Sequence, residues 1–503
     1  MANPSWKIRA KDADLRVRNF INGQYVEVNP GECPTIKLSP RDGRQLYQMG
    51  SGSRNDVEQA VGYARKAFDD GRWRGLPVQQ RKAVLQKLAD LIDANKDELA
   101  LNECLDVGKP ITMALNDDLP TASGLLRSFA EKADQLLSPS GVDGGAVSYQ
   151  LRKPVGVVGG IVGWNYPLAL AVIKAGPALA TGNSLVLKPS EFSSLSTSKL
   201  AALAIEAGVP AGVFNVVHGT GAIVGNALAT HPDVNLLSFT GSSTTGKQMM
   251  VAAGQSNMKR LLLECGGKSP FIIFDDCPAD LDMMASLVAQ IAFRNQGQWC
   301  LAGSRLLLQE GIKDKLLPKI VEQTLLLKPQ DPLDPTATFG AVINEAHMNK
   351  ILDFIDSGKR EGAELILGGQ RVHINVDNTD SEGYFIEPTI FDCVKADYQI
   401  AQEEIFGPVL AIITFKDEEE AIRLANSTRY GLAAYVATQN FARIQHLGQC
   451  LNVGSVTVVG SSAPSDGAVE IAAEAHRESG FGYETGLAGL ASYTISTTMH
   501  LFT

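Results

Sequence analysis

The sequence predicts an α/β protein: two α/β domains in series, each on a mainly parallel sheet, with a small β extension. Three observations predict it. The chain has 503 residues, more than one hydrophobic core usually supports. From about residue 155 onward, short apolar runs alternate with helical patterns, and each run closes in a turn rich in Gly, Pro, Ser or Thr. That is the texture of βαβ units. Two further stretches, residues 139–154 and Ser492–Leu501, are extended and fit neither series.

The elements follow in order. Asn55-Asp56-Val57 opens a helix with Val57, Ala60, Val61, Ala64 and Ala67 at helical spacing. A second helix is expected from about Gln79 to Leu99, with Val84, Leu85, Leu88, Leu91 and Ile92 on one face. Residues 139–154, with Val142, Val147, Tyr149 and Leu151, read as an extended excursion. The strands of the first series are Val155–Val162, Ser184–Leu187, Val213–Val217 and Leu236–Phe239. A second series is expected from near Arg260, with runs at Phe271–Phe274, Arg305–Leu308, Leu365–Leu367 and Val409–Phe415. Ser492–Leu501 reads as a terminal strand. An exposed edge of that kind needs cover, from a local hairpin or from another subunit.

Composition excludes several function classes. The balance of 45 basic against 55 acidic residues, a formal charge of −10, leaves no global basic field for nucleic acid. The longest apolar stretches, near 155–163 and 168–182, are broken by glycines, Lys174 and Pro177, so no membrane span is expected. Met1–Arg9 has no apolar stretch of the signal-peptide kind. Seven cysteines are scattered without a CxxC pair, which fits a reduced cytoplasm and no metal.

Several turns carry chemistry. Gly219-Thr220-Gly221-Ala222-Ile223-Val224-Gly225 follows a strand and is one residue longer than the dinucleotide fingerprint. Phe239-Thr240-Gly241-Ser242 and Lys188-Pro189-Ser190-Glu191 also end apolar runs. Each alone is compatible with a tight turn or a Ser/Thr cap. Together they lie where one parallel sheet would present its strand ends to a nucleotide, with a helix N-terminus to meet phosphate. Glu264 stands in Leu263-Glu264-Cys265-Gly266-Gly267-Lys268, a turn where backbone can approach a ligand; the residue reads as a general base or a solvated turn acid. Cys300 lies among amide and small residues, Asn295 to Arg305, at a possible helix start that would favour thiolate. Cys104 and Cys393 sit in more apolar runs and read as structural.

Taken in order, these pieces resemble the NAD(P)-dependent aldehyde dehydrogenase superfamily. Gly163-Trp164-Asn165-Tyr166-Pro167 resembles its PWNxP signature, with Gly163 for the usual proline. Lys188–Glu191, Phe239–Gly246, Leu263–Pro270, Gly297–Cys300 and Glu403-Glu404-Ile405-Phe406-Gly407-Pro408-Val409 follow in the family's order, and Phe20-Ile21-Asn22-Gly23-Gln24 looks like its N-terminal strand. The resemblance covers nearly the whole chain. It implies Cys300 as nucleophile, Asn165 and the Cys300 amide as oxyanion donors, Glu264 as base, and Lys174 in support. It implies Trp164, Lys188, Ser190, Glu191, Gly221, Gly225, Phe239, Gly241, Ser242, Glu404 and Phe406 around the coenzyme. Glu191 can accept from ribose hydroxyls and would repel a 2′-phosphate, which favours NAD over NADP.

The resemblance also implies an organisation. Residues 1–135 and 155–262 form the NAD-binding domain, 263–480 the catalytic domain, and 136–154 with 485–503 the strands of a homodimer or homotetramer. Departures gather near the C-terminus. Val459 stands where an Asn is usual, Pro464–Val469 replaces a Pro-Phe-Gly-Gly stretch, and Tyr483 replaces a common Arg. With Trp299 beside the nucleophile, Val459 reads as a tunnel residue favouring an aromatic or long apolar aldehyde. Glu474, His476 and Arg477 are expected near the tunnel mouth, where Arg477 would meet a distal carboxylate. A CoA-acylating semialdehyde dehydrogenase is disfavoured by Glu264. A catalytically silent scaffold is disfavoured by the presence of Cys300, Asn165 and Glu264 together.

Overall fold

The computed structural model describes residues 5–31, 34–136, 140–143, 146–278, 280–377, 379–380, 382–460 and 473–502. Its first sheet has eight strands. Five are mutually parallel and form its centre: Phe214–Val216, Ser184–Lys188, Val157–Ile161, Leu236–Thr240 and Arg260–Glu264. Four of these strands are nearly all buried, as parallel strands must be when helices cover both faces, while Arg260–Glu264 is buried only at Leu262 and Leu263. Alternate residues feed two cores. Val158, Leu185, Leu187 and Leu236 pack against the helices Pro167–Ala180 and Leu195–Ala207. Val157, Val186 and Leu237 pack against Val57, Val61 and Ala64 of the helix Arg54–Asp69.

Strand order places a topological switch at the centre of this sheet. The chain runs outward from Val157–Ile161 through Ser184–Lys188 to Phe214–Val216, then returns to Leu236–Thr240 on the other side. The carboxyl ends at such a switch open a crevice. The second sheet has seven strands, of which only the edge strand Glu364–Leu367 is antiparallel to its neighbour. Its two faces pack on separate cores, one with Ile272, Leu307 and Ile413, the other with Ile273, Leu308 and Ile412. The strand Thr494–Phe502 pairs along its whole length with Ala146–Pro154, which also pairs with Ser140–Asp143. The extended excursion and the terminal strand thus form one three-stranded antiparallel sheet.

The structure corrects four sequence expectations. The helix expected over 79–99 breaks into Val78–Ala94 and Lys96–Val107. At the break, the Asn95 side chain donates to Leu91 O and closes the first helix itself. The sheets divide after Glu264, not near Arg260, because Arg260–Glu264 pairs in parallel with Leu236–Thr240. Cys393 is exposed, not core, since it follows the strand Thr389–Asp392 with φ of 53° and turns outward. Phe20–Gln24 is a hairpin, not one strand: Asn22 and Gly23 take positive φ between Asn19–Ile21 and Gln24–Val26.

Candidate active site

A cavity of about 1210 Å³ opens where the carboxyl edge of the first sheet faces the amino edge of the second. The first sheet contributes at and just after the carboxyl ends of its strands: Ile161 and Gly163–Asn165, Lys188 with Ser190 and Glu191, Phe239–Ser242, and Glu264–Cys265. The second sheet contributes just before or at strand starts: Cys300 ahead of Arg305–Gln309, Glu404 and Phe406 ahead of Val409–Phe415, and Ser455 at the start of Ser455–Val458.

Cys300 follows the short helix Arg294–Gly297 in a turn, not at the start of a helix as the sequence suggested. Three consecutive residues before it, Asn295, Gln296 and Gly297, have φ of 51°, 57° and 70°. Two of them carry side chains, so the backbone there is strained and held by its surroundings. Gln298 clamps the turn: its Nε2 donates to Asn295 O, and its Oε1 accepts from Ile343 N. Gly297 lies so close to the neighbouring loop that a Cβ would fall 2.1 Å from Gly407 O. Burial, with the carboxylates of Glu404 and Glu264 nearby, pushes the Cys300 thiol up to about 12, while the amides of Cys300 and Leu301 pull the other way.

Asn165 Nδ2 donates to Gln298 O at 3.1 Å, and Asn295 Nδ2 donates to Asn165 O. These bonds fix the Asn165 amide beside the cysteine turn. Its second amide hydrogen remains for an oxygen in the cavity. Glu264 ends its strand and lines the same cavity. Its carboxyl accepts no hydrogen bond among the described residues and is held well above the ordinary carboxylate range. Burial is the main cause, reinforced by Glu484 and opposed by Lys174. Lys174 does not line the cavity. Its ammonium is buried and ion-paired with Glu484, which also accepts from Ser238 Oγ at 2.6 Å. Lys174 therefore acts on Glu264 through its field and through Glu484, not as a group that touches substrate.

The nucleotide-like turns converge on the same space. Ser242 caps the helix Ser243–Gln255, accepting from Thr245 N at 3.2 Å, so the first amides of that helix face the cavity mouth. Gly241 N donates to Glu264 O, and a Cβ on Gly241 would strike the Phe239 ring. Lys188 Nζ meets Glu191 Oε2 at 2.9 Å, and Gly221 N donates to Glu191 Oε1 at 3.3 Å. Burial opposes the Glu191 charge, but Lys188 and backbone amides outweigh it and hold the carboxyl below its ordinary value. Ser190 also lines this end, and its Oγ accepts from Phe192 N. Glu404 accepts from Gly267 N at 2.9 Å. Glu403, beside it, faces away and makes a two-pronged bond with Arg429.

Some expected site residues lie elsewhere. Gly225 is buried one helical turn beyond Gly221 and does not line the cavity. Val459 is 1% exposed and packs in the core with Phe271 and Ile273, because the chain turns inward where Ser455–Val458 ends. Arg477 donates to Asn426 O and Thr428 O, and His476 meets Asn452, so neither reaches the cavity. Glu474 accepts from Gly482 N and likewise stays outside it. The replaced stretch Pro464–Val469 lies outside the described residues.

Others were missed. His347 packs edge-on against Trp164 and bonds Phe406 O at 2.7 Å; burial lowers its pKa to about 4, so it is a neutral donor. Phe406 itself has φ of 58° and stacks edge-on against Trp164. No motif spacing marks His347, which comes from the helix Glu345–Glu361. Tyr435 and Glu484 also line the cavity, each brought there by pairing far along the chain.

The model of the aldehyde dehydrogenase family matches residues 27–499. The chain belongs to the aldehyde dehydrogenase family. Among relatives of this aldehyde dehydrogenase is the NADP/NAD-dependent aldehyde dehydrogenase PuuC of Escherichia coli (strain K12), 42% identical over 490 residues, covering 97% of this chain and 96% of PuuC. Among solved structures, the aldehyde dehydrogenase KauB from Pseudomonas aeruginosa superposes with a TM-score of 0.94 at 44% identity, covering 100% of both chains. The P. syringae indole-3-acetaldehyde dehydrogenase AldA, solved as a mutant with NAD+ and IAA, superposes with a TM-score of 0.95 at 42% identity, again over 100% of both. The aldehyde dehydrogenase fold therefore extends across the whole chain. No helix among the described residues is long and apolar enough to cross a membrane.

Proposed function

We propose that this chain oxidises an aldehyde to a carboxylic acid with NAD, through a Cys300 thiohemiacetal and thioester. One observation carries the reading: Cys300, the Asn165 amide and the desolvated Glu264 carboxyl meet in one cavity, beside a helix N-terminus and two carboxylates suited to a dinucleotide. An aldehyde has no leaving group, so a nucleophile must add first; Cys265 and Cys300 both line the cavity, and Cys300 is the thiol on the turn that the Asn165 amide bonds. The thiol rests protonated. Its proton must leave as sulfur attacks, and Glu264 is a carboxyl of raised pKa in the same cavity. The new oxyanion meets the free Asn165 N–H and the Cys300 amide. Loss of hydride from the adduct would leave the thioester; once Glu264 has passed its first proton to solvent it deprotonates a water, the water opens the thioester, and the Cys300 sulfur leaves as thiolate.

The residues present fit a dinucleotide. Thr240 Oγ1 is a buried, unpartnered hydroxyl beside the capped helix, and Glu191 and Glu404 are acceptors placed for ribose hydroxyls. Lys188, Glu191, Ser242 and Glu404 would hold NAD, with Trp164 and Phe406 alongside. When bound, NAD supplies the hydride acceptor that side chains cannot. The charge held on Glu191 disfavours a 2′-phosphate, so NAD is preferred to NADP.

The substrate we propose is an aldehyde with an aromatic or long apolar body. Trp299, Tyr166, Tyr435, Phe293, Leu170 and Ile173 line the cavity. This rests on those walls and no longer on Val459. Burying a ring-sized group contributes about 2 kcal/mol at about 25 cal/mol per Å². Glu264 disfavours the CoA-acylating alternative, which needs no water-activating base. The protein is proposed as a soluble cytoplasmic homodimer or homotetramer, built through the three-stranded extension. Its exposed Leu151, Met499, Leu501 and Phe502 need cover. NADH formation over a panel of aldehydes tests the reaction. Cys300→Ala should abolish turnover and leave NAD binding nearly intact; substantial residual turnover would overturn the assigned nucleophile.

A further inference from the structure

The turn that carries Cys300 is clamped ahead of the nucleophile by Gln298, and a second hold lies beyond it. Ala302 N donates to Trp299 O at 3.0 Å, which makes Cys300 and Leu301 the two central residues of a β-turn. The Leu301 carbonyl accepts from the Tyr435 hydroxyl at 3.0 Å. The Leu301–Ala302 peptide is thus held at both of its polar groups, the N–H by Trp299 O and the C=O by Tyr435. On the other side of Leu301, its own N–H supports the charged form of the Cys300 sulfur, as the Cys300 N–H does. The Cys300 carbonyl lies against Gly267, where a Cβ would fall 2.4 Å from it.

Tyr435 reaches the turn from a rigid place. It stands in the middle of the strand Ala433–Ala437, which pairs in parallel with Pro270–Ile273 on one side and Ser455–Val458 on the other. Phe271 is its register partner, and the two rings lie 5.7 Å apart. A group on a paired strand is held more precisely than one on a loop. Tyr435 is 5% exposed, and its ring also lines the cavity. Burial, with Cys300 nearby, holds the hydroxyl above the ordinary tyrosine range, so it stays an O–H donor at neutral pH.

We propose that Tyr435 is a positioning residue for the nucleophile: its hydroxyl fixes the Leu301–Ala302 peptide and so keeps the Leu301 N–H directed at the Cys300 sulfur. A hydrogen bond to an anion is stronger than one to its neutral form, so a swing of Leu301 costs the thiolate more than the thiol. The other titratable groups around the sulfur are the carboxyls of Glu264 and Glu404 and the Tyr166 hydroxyl, with Arg294 acting on both tyrosines. The two carboxylates oppose the thiolate, and the amides of the turn support it. The inference rests on Cys300 as the nucleophile proposed above and adds what holds its turn in place.

The test is Tyr435→Phe, which keeps the ring and the cavity wall and removes only the hydroxyl. The full-length protein, free of coenzyme, is treated with iodoacetamide between about pH 7 and about pH 9, and alkylation of the Cys300 peptide is followed by mass spectrometry. Only the thiolate attacks, displacing iodide, so below the thiol pKa the rate reads the thiolate fraction. Tyr435→Phe should slow this reaction by about threefold to tenfold across the range, the scale of one hydrogen bond. The kcat/KM for aldehyde should fall by a similar factor, with the Kd for NAD unchanged. Cys300 alkylation at the wild-type rate, with any loss confined to the KM for aldehyde, would overturn the positioning role and leave Tyr435 as wall alone. Slower alkylation accompanied by newly reactive Cys104 and Cys277, both buried, would mark a loosened fold and overturn it too. Wild-type protein that yields no NADH with any aldehyde overturns the oxidation, while the alkylation rates still decide the role of Tyr435.

Discussion

At the scale of single residues, the site is governed by desolvation. Among the described residues the Glu264 carboxyl accepts no hydrogen bond to hold its charge, and burial keeps it protonated to higher pH than an ordinary carboxyl. A base works only when deprotonated, so steady-state turnover should fall as pH drops through this raised value. Glu264→Gln should lower kcat by roughly 10²-fold and flatten that acid limb. Glu403→Gln should do far less, because Glu403 is held by Arg429 outside the cavity. Equal losses at both positions, measured as kcat against pH, would remove Glu264 from the role. At the same scale, Glu191 is the residue proposed to set coenzyme choice. A 2′-phosphate beside its charge costs about 1 kcal/mol if well screened and several if not. The kcat/KM for NAD should therefore exceed that for NADP, and Glu191→Ser should narrow the gap. Residue identity was largely legible in the sequence here, because Cys300, Glu264, Asn165 and Glu404 sit in short motifs. Their charge states were not. A helix start would favour thiolate, but no helix begins at Cys300, and burial with Glu404 and Glu264 nearby pushes the thiol up to about 12.

At the scale of elements, the catalytic turn is held by strain that only its neighbours sustain. Gly297 has positive φ, and any Cβ there would meet Gly407 O. Gly297→Ala should therefore push the Asn295–Cys300 turn off the loop that carries Phe406. We expect a loss in kcat on the order of 10²-fold, the scale of an ångström-sized misplacement, with a lowered Tm. Activity and thermal melts close to wild type would show that the turn relaxes freely. Strands were legible because their apolar runs are short, β-branched and closed by turns. The break at Asn95 was hidden, because the apolar spacing continues across it, and only a side-chain bond to Leu91 O ends the helix. Val459 was misjudged for the opposite reason: motif position does not say on which side of a strand end the chain turns, and here it turns into the core.

At the scale of the whole molecule, two sheets meet edge to edge, and a third sheet projects from them. Thr494–Phe502 lies along Ala146–Pro154 with a free apolar surface that includes Phe502 at 83% exposure. Deleting 494–502 should lower the oligomeric state, read by light scattering after size exclusion. An unchanged mass would remove these strands from assembly. The partition into sheets was visible in the sequence only in outline. The return of the chain to the first sheet was not, because Gly480–Phe481 is too short to carry a periodic signal. That return has a consequence for biosynthesis. Gly480–Phe481 pairs with Leu263 and Glu264, Cys265 N donates to Ser479 O, and Ser479 Oγ donates to Gly266 O. The strand that carries Glu264 is thus left with an open edge until residues 479–481 leave the ribosome. A nascent polypeptide that already contains Cys300 is therefore expected to gain aldehyde turnover only once residues 479–481 have emerged. A chain terminated before residue 479 is expected to be a silent fragment, not a half-working enzyme.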